Sequence, residues 1–299
     1  MVETRSSKQN LTLRKEVSKR SSTETSTQPT KRRKTNKAIV NNKVTLKSEL
    51  IVIKDLNPTL SSIHEQLAAQ ASKKRAATLV KYFRTNEYGR GDIFLGLKVP
   101  YVRSISKSLG FLPFTLLKSL INSKYHEERL LSIINVVDKF KISQDLNEQK
   151  ELFGFYINEM KEGIDNWDLV DISAAHVVGP YLINKPELKK TWLYEKLITS
   201  ERLWDRRIAM VSTQHFINQG EYEDTIKLSE ILLDDKEDLI HKATGWMLRE
   251  MGKKSKKTLV SFLDKHATKM PRVMLRYSLE KFSDQEKKKY MQKGKKSKL

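Results

Sequence analysis

The chain contains no cysteine. Disulfides, thiolate metal sites and a cysteine nucleophile are excluded, and a reducing compartment is expected. Long apolar runs are missing too. None approaches the roughly 18 residues that cross a bilayer, and no signal-peptide core follows Met1, so a soluble intracellular protein is expected. The histidines His64, His126, His176, His215, His241 and His266 are scattered, never in His-x3-His spacing beside an acid. No metal site is expected from them. A Gly-x-Ser-x-Gly elbow and a Ser-His-Asp order are also absent, which argues against acyl transfer. No cofactor is implied.

Positive charge is in excess. The net charge is +21, with residues 1–45 holding 12 Lys/Arg against 3 Glu and residues 285–299 holding 7 Lys against 1 Glu. Most of the excess therefore lies in the two ends, and the span between them is only mildly basic. Two readings fit such ends: solvated, disordered arms, or arms that flank a groove binding a polyanion. Lys19-Arg20 and Lys31-Arg32-Arg33-Lys34 resemble a bipartite nuclear import signal, in competition with chance pairs in a Lys-rich tail. This favours the nucleus for a eukaryotic protein and the cytoplasm for a bacterial one. Ser297-Lys298-Leu299 matches a peroxisomal tripeptide, which a lysine-rich end also produces by chance.

Three regions are expected: a disordered basic tail over 1–45, a helical domain over 46–284 and a basic tail over 285–299. Within the domain, Ile63, Leu67 and Ala71, then Leu79, Val80 and Phe83, recur at the three-to-four spacing of amphipathic helices. Gly89-Arg90-Gly91-Asp92 is too short and wrongly spaced for a nucleotide loop and reads as a turn. Pro100 suits a first helical turn and Gly110 a helix end. Further helices are predicted over 113–122, 125–140, 145–160, 166–178, 187–199, 202–218, 221–234, 237–251, 255–267 and 272–282. Gly179-Pro180, Gly220 and Gly252 are read as the punctuation between them. Pairs of helices repeating every 35–40 residues, with no useful strand-like alternation, predict an all-α solenoid of HEAT-like pairs with a concave face.

Three stretches recur at a pitch of about forty residues, each with a tryptophan: Asn166-Trp167-Asp168-Leu169-Val170-Asp171, then Leu203-Trp204-Asp205-Arg206-Arg207, then Lys242-Ala243-Thr244-Gly245-Trp246. Trp167 and Asp171, four apart, share a helix face. Asp165 or Asn166 suits an N-cap and Asp168 a first turn, where the helix dipole favours it. Asp171 lies beyond that turn with no nearby cation in sequence, so it is either an ordinary solvated acid or a working one. Trp246 falls off the apolar stripe of Ile240, Ala243, Met247 and Met251, as a pocket-lining indole would. Trp192 and Trp204 read as packing residues. Arg207 reads as a surface ion pair with Asp205 or Glu201, or as a guanidinium fork on a phosphate. Stacked as successive repeats, these helices would bring Trp167, Asp171, Arg207 and Trp246 to one groove.

These motifs, together with Phe94-Leu95-Gly96-Leu97-Lys98-Val99-Pro100 and Pro271-Arg272-Val273-Met274-Leu275-Arg276-Tyr277, resemble the AlkD-like DNA alkylation repair family from about residue 60 to 284. The resemblance implies a HEAT-like monofunctional DNA glycosylase acting on cationic purines of the 3-methyladenine and 7-methylguanine type. Asp171 then takes the place of the carboxylate that stabilises the sugar cation. Trp167 and Trp246 take the places of the indoles at the lesion's deoxyribose, and Arg207 that of the backbone-gripping arginine. Lys98, Arg103, Arg249 and Arg276 are further candidates for the DNA backbone. The implied partner is duplex DNA carrying alkylated purines, bound by a monomer without metal or membrane. Two rivals share the fold: a non-catalytic module for distorted DNA, and a scaffold that binds proteins.

Overall fold

The computed structural model of the chain describes residues 57–83 and 91–296. All of these residues belong to one compact unit. The basic clusters at 19–34, the 45/46 boundary, Gly89-Arg90 and the final tripeptide all lie outside the described residues.

The described residues form an all-α fold, about 75% helical, consistent with a helical solenoid. The helices are α1 (Leu60–Ala68), α2 (Lys73–Phe83), α3 (Val99–Leu109), α4 (Phe114–Ile121), α5 (His126–Ile142), α6 (Leu146–Phe155), α7 (Trp167–Asp171) and α8 (Ala174–Leu182). They continue as α9 (Pro186–Lys189), α10 (Leu203–Asn218), α11 (Glu223–Ile231), α12 (Asp238–Lys254), α13 (Lys256–His266), α14 (Arg272–Ser278) and α15 (Asp284–Lys296). One row runs α5, α8, α10, α12, α14, each packed on the next; α4, α6, α11 and α13 back it. A continuous apolar core lies between the two rows. Among the described residues no helix is long and apolar enough to cross a membrane.

Local chemistry sets the ends. Thr59 and Ser62 make a capping box at α1, and the Asp145, Asn166 and Ser255 side chains accept backbone N–H groups at the starts of α6, α7 and α13. Pro100 occupies the first turn of α3, and Gly220 follows α10 at φ +85°. Ile63, Leu67 and Phe83 are buried as their spacing predicts, whereas Ala71 lies beyond α1 and Val80 faces solvent.

Four expectations need correction. The helix predicted over 166–178 is two helices, α7 and α8, broken at Ile172-Ser173. The Ser173 hydroxyl donates to the Leu169 carbonyl at 2.6 Å and meets the Tyr156 hydroxyl at 2.9 Å, drawing the backbone out of register. The helices over 145–160 and 187–199 pass into π-helical turns at Tyr156–Met160 and Lys190–Leu197. Gly179-Pro180 and Gly252 do not punctuate; they lie inside α8 and α12. A Cβ on Gly179 would stand 2.5 Å from the Ser212 carbonyl oxygen, so this glycine lets α8 cross α10 closely. Finally, residues 285–299 are not a tail throughout, because α15 continues to Lys296. Buried Tyr290 packs edge-on against Phe282 and its hydroxyl donates to Asp264 at 3.1 Å.

Candidate active site

Where α7, the first half of α10 and the middle of α12 come together they line a cleft of about 540 Å³. Trp167, Asp171, Arg207, Trp246 and Arg249 line it, joined by Tyr82 and Phe83 from α2, Lys242 from α12 and Tyr277 from α14. Four of the residues expected in one groove are thus together.

Asp171 ends α7, and its partner comes from α10. Arg207 Nε donates to Oδ1 at 2.9 Å and Nη2 to Oδ2 at 2.8 Å, while Nη1 donates to the Leu239 carbonyl at 2.6 Å. This is a two-pronged guanidinium–carboxylate pair between side chains 5% and 17% exposed. The lack of a nearby cation inferred from sequence is corrected here: Arg207 lies 36 residues away along the chain and one helix away in space. Neither Asp205 nor Glu201 holds Arg207; Asp205 instead accepts from Lys161 at 2.9 Å and Arg202 at 2.7 Å. Burial raises the pKa of Asp171 above the ordinary aspartate value, Arg207 pulls it back, and Asp168 pushes it up slightly.

Trp167 opens α7, its backbone N–H donated to the Asn166 side-chain oxygen at 2.8 Å. Its indole stacks on Phe83 with centroids 5.1 Å apart and planes 15° apart, and the Tyr82 ring stands T-shaped to it at 5.7 Å. Trp246 is half-buried, lines the cleft and donates its indole N–H to Glu250 at 3.1 Å. Glu250 also accepts from Arg249 at 2.9 Å and Lys253 at 2.7 Å. Burial alone would raise its pKa, but Lys253 and Arg249 prevail and lower it. Trp204 is buried and Trp192 packs edge-on against Phe153, both as packing residues.

Of the other basic candidates, Arg249 reaches the cleft, where Glu250 and Glu280 hold it. Lys98, Arg103 and Arg276 are exposed on α3 and α14 and its approaches, and none lines the cleft. Lys242 does line it, paired with Asp238 at 2.7 Å; its four-residue spacing to Trp246 was the available signal.

Sequence reasoning missed a buried polar cluster behind α7. His126 places Nδ1 2.8 Å from Asp92 and Nε2 2.8 Å from Asp168. Arg129 pairs with Asp92 and with Asp165, the latter at 2.9 Å, and the Asn166 amide donates to Asp92 at 3.2 Å. Glu127 accepts the backbone N–H groups of Leu95, Gly96 and Leu97 at 2.8–3.0 Å, which explains the Phe94–Leu97 stretch. Among the described residues no group of three or more His, Cys, Asp or Glu side chains is arranged to hold a metal ion.

A family model described as DNA alkylation repair enzyme matches residues 63–282. The chain belongs to the DNA alkylation repair enzyme family. Its matched span contains every residue of the cleft. A solved chain described as a predicted DNA alkylation repair enzyme from Enterococcus faecalis superposes with a TM-score of 0.56 at 17% identity, covering 72% of this chain and 98% of that one. At that identity the likeness speaks for the family's fold. Comparison with curated proteins found no match.

Proposed function

We propose that the protein is a monofunctional DNA glycosylase that hydrolyses the N-glycosidic bond of positively charged alkylated purines, of the 3-methyladenine and 7-methylguanine type, in duplex DNA. The observation that carries this reading is the meeting of Trp167, Asp171 and Trp246 around one cleft. A purine alkylated at N3 or N7 is already cationic and leaves without a general acid. As it leaves, positive charge grows on the deoxyribose. A fixed carboxylate beside that ring favours the transition state over the ground state, an effect worth about 3–4 kcal/mol for comparable preorganised groups. Two indole faces add roughly 0.5–2 kcal/mol each by cation–π attraction.

Arg207 fits two tasks. It orients Asp171 with two donors and spends a third on Leu239, leaving two of its five N–H groups for a DNA phosphate at the cleft. Arg249 and Lys242 are the other cations beside the strand. Lys98, Arg103 and Arg276 would meet DNA only beyond the cleft.

The test is incubation with N-methylated duplex DNA followed by chromatography of the released bases. Asp171→Asn should slow release on the order of 10²–10³-fold while DNA affinity stays within a few fold. Release at the wild-type rate would remove the carboxylate from the mechanism, and tight binding without any release would favour the non-catalytic reading.

A further inference from the structure

The polar cluster behind α7 is more elaborate than capping a five-residue helix requires. We propose that His126, buried between Asp92 and Asp168, is a positioning residue that holds α7 and so sets the Trp167 indole and the Asp171 carboxylate for base release. This rests on the glycosylase reading above.

The geometry supplies two routes from His126 to the cleft. One runs through Asp168, the residue after Trp167, whose Oδ2 lies 2.8 Å from Nε2. The other runs through Phe83, which sits 5.1 Å from the His126 ring on one side and stacks on Trp167 at 5.1 Å on the other. Phe94 packs on the imidazole at 4.7 Å and on Phe83 at 5.1 Å, so the three rings form one cluster. A ring pressed between two carboxylates can satisfy both only as the imidazolium, because neutral imidazole donates from one nitrogen alone. Loss of the proton would turn a lone pair toward Asp92 or Asp168 in a site closed to water, and α7 would have to shift.

The charged groups around the ring favour the cation. Asp92 faces it from the loop before α3, and Asp168 from α7, with Asp165 just before that helix. Arg129 on its own helix is committed to Asp92 and Asp165. Glu127 is committed to the 95–97 amides and Glu128 to His64 of α1. Asp171 is held by Arg207 of α10, and α2 presents only the uncharged Phe83. Burial alone would lower the imidazole's pKa, yet Asp168 first and Asp92 second raise it to about 9.

The experiment measures single-turnover release of 3-methyladenine from duplex DNA at saturating enzyme between about pH 7 and 10, with binding followed separately. His126→Gln should release base on the order of 10²-fold more slowly at nearly unchanged affinity, the penalty of a misplaced reacting group. Wild-type release should fall as pH rises through about 9. Asp168→Asn keeps an acceptor but removes the main charge, so its decline should begin at lower pH, toward the ordinary imidazole value of about 6.5. Wild-type release by His126→Gln, or the same alkaline decline in Asp168→Asn, would overturn the proposal. Should the wild-type protein release no base, the glycosylase reading fails, and positioning is read from the Trp167 indole N–H resonance, assigned by its loss in Trp167→Phe. That resonance should move with a midpoint near 9 in the wild type and lower in Asp168→Asn; indifference to pH across the range would sink the positioning role.

Discussion

Asp171 takes its state from burial and from Arg207. A carboxylate that stabilises a sugar cation must be ionised, and burial has raised the pKa of this one. Base release should therefore fall on acidification at a pH above the ordinary aspartate value of about 3.9. Arg207 is what limits the rise, so Arg207→Ala should move that acid limb to higher pH and Arg207→Lys should move it less, since a point charge replaces the fork. The pH profile of single-turnover release decides the matter. An acid limb unmoved by Arg207→Ala would mean that Asp171 does not govern it.

Between elements, the cleft depends on how closely the row of helices packs. Gly245 sits where α12 crosses α14, and a Cβ there would stand 2.5 Å from the Met274 carbonyl oxygen and 2.6 Å from Tyr277 Cβ. Alanine is the better helix former by about 1 kcal/mol. Backbone and a Cβ cannot retreat easily, so overpacking of roughly 1–3 kcal/mol should win. Gly245→Ala is expected to lower the midpoint of urea unfolding and to weaken base release together, because both Trp246 and Tyr277 line the cleft beside this crossing. A raised midpoint would show that α14 gives way without strain.

Over the whole molecule, the +21 charge is divided unevenly, with most of the excess in the two ends. Phosphate contacts release counterions, so DNA affinity should fall steeply with salt, on the order of 10³-fold between about 50 and 200 mM for six contacts. Deleting residues 1–45 removes 12 Lys/Arg and 3 Glu. The deletion should weaken DNA binding and flatten the salt slope, yet leave single-turnover release at saturating enzyme unchanged. Gel shifts at two salt concentrations test the first part. Affinity indifferent to salt would favour the protein-binding scaffold instead.

Much of this architecture is legible along the chain because its causes are local. Apolar residues at three-to-four spacing specify helices wherever they occur, and repetition of such pairs leaves stacking as the way to bury their faces. Trp167 and Asp171 could be paired from four-residue spacing, and Trp246 singled out because it leaves the stripe of Ile240, Ala243 and Met247. Glycine is ambiguous at that level: Gly220 ends a helix through a positive φ, whereas Gly179 and Gly252 serve close crossings, and nothing nearby in sequence separates the two uses. The partners of the charged groups were decided only by folding. Arg207 reaches Asp171 across 36 residues, and Asp92, His126 and Asp168 meet from three separate segments. Ion pairing depends on distance in space and on exclusion of water, and both arise only when the helices stack.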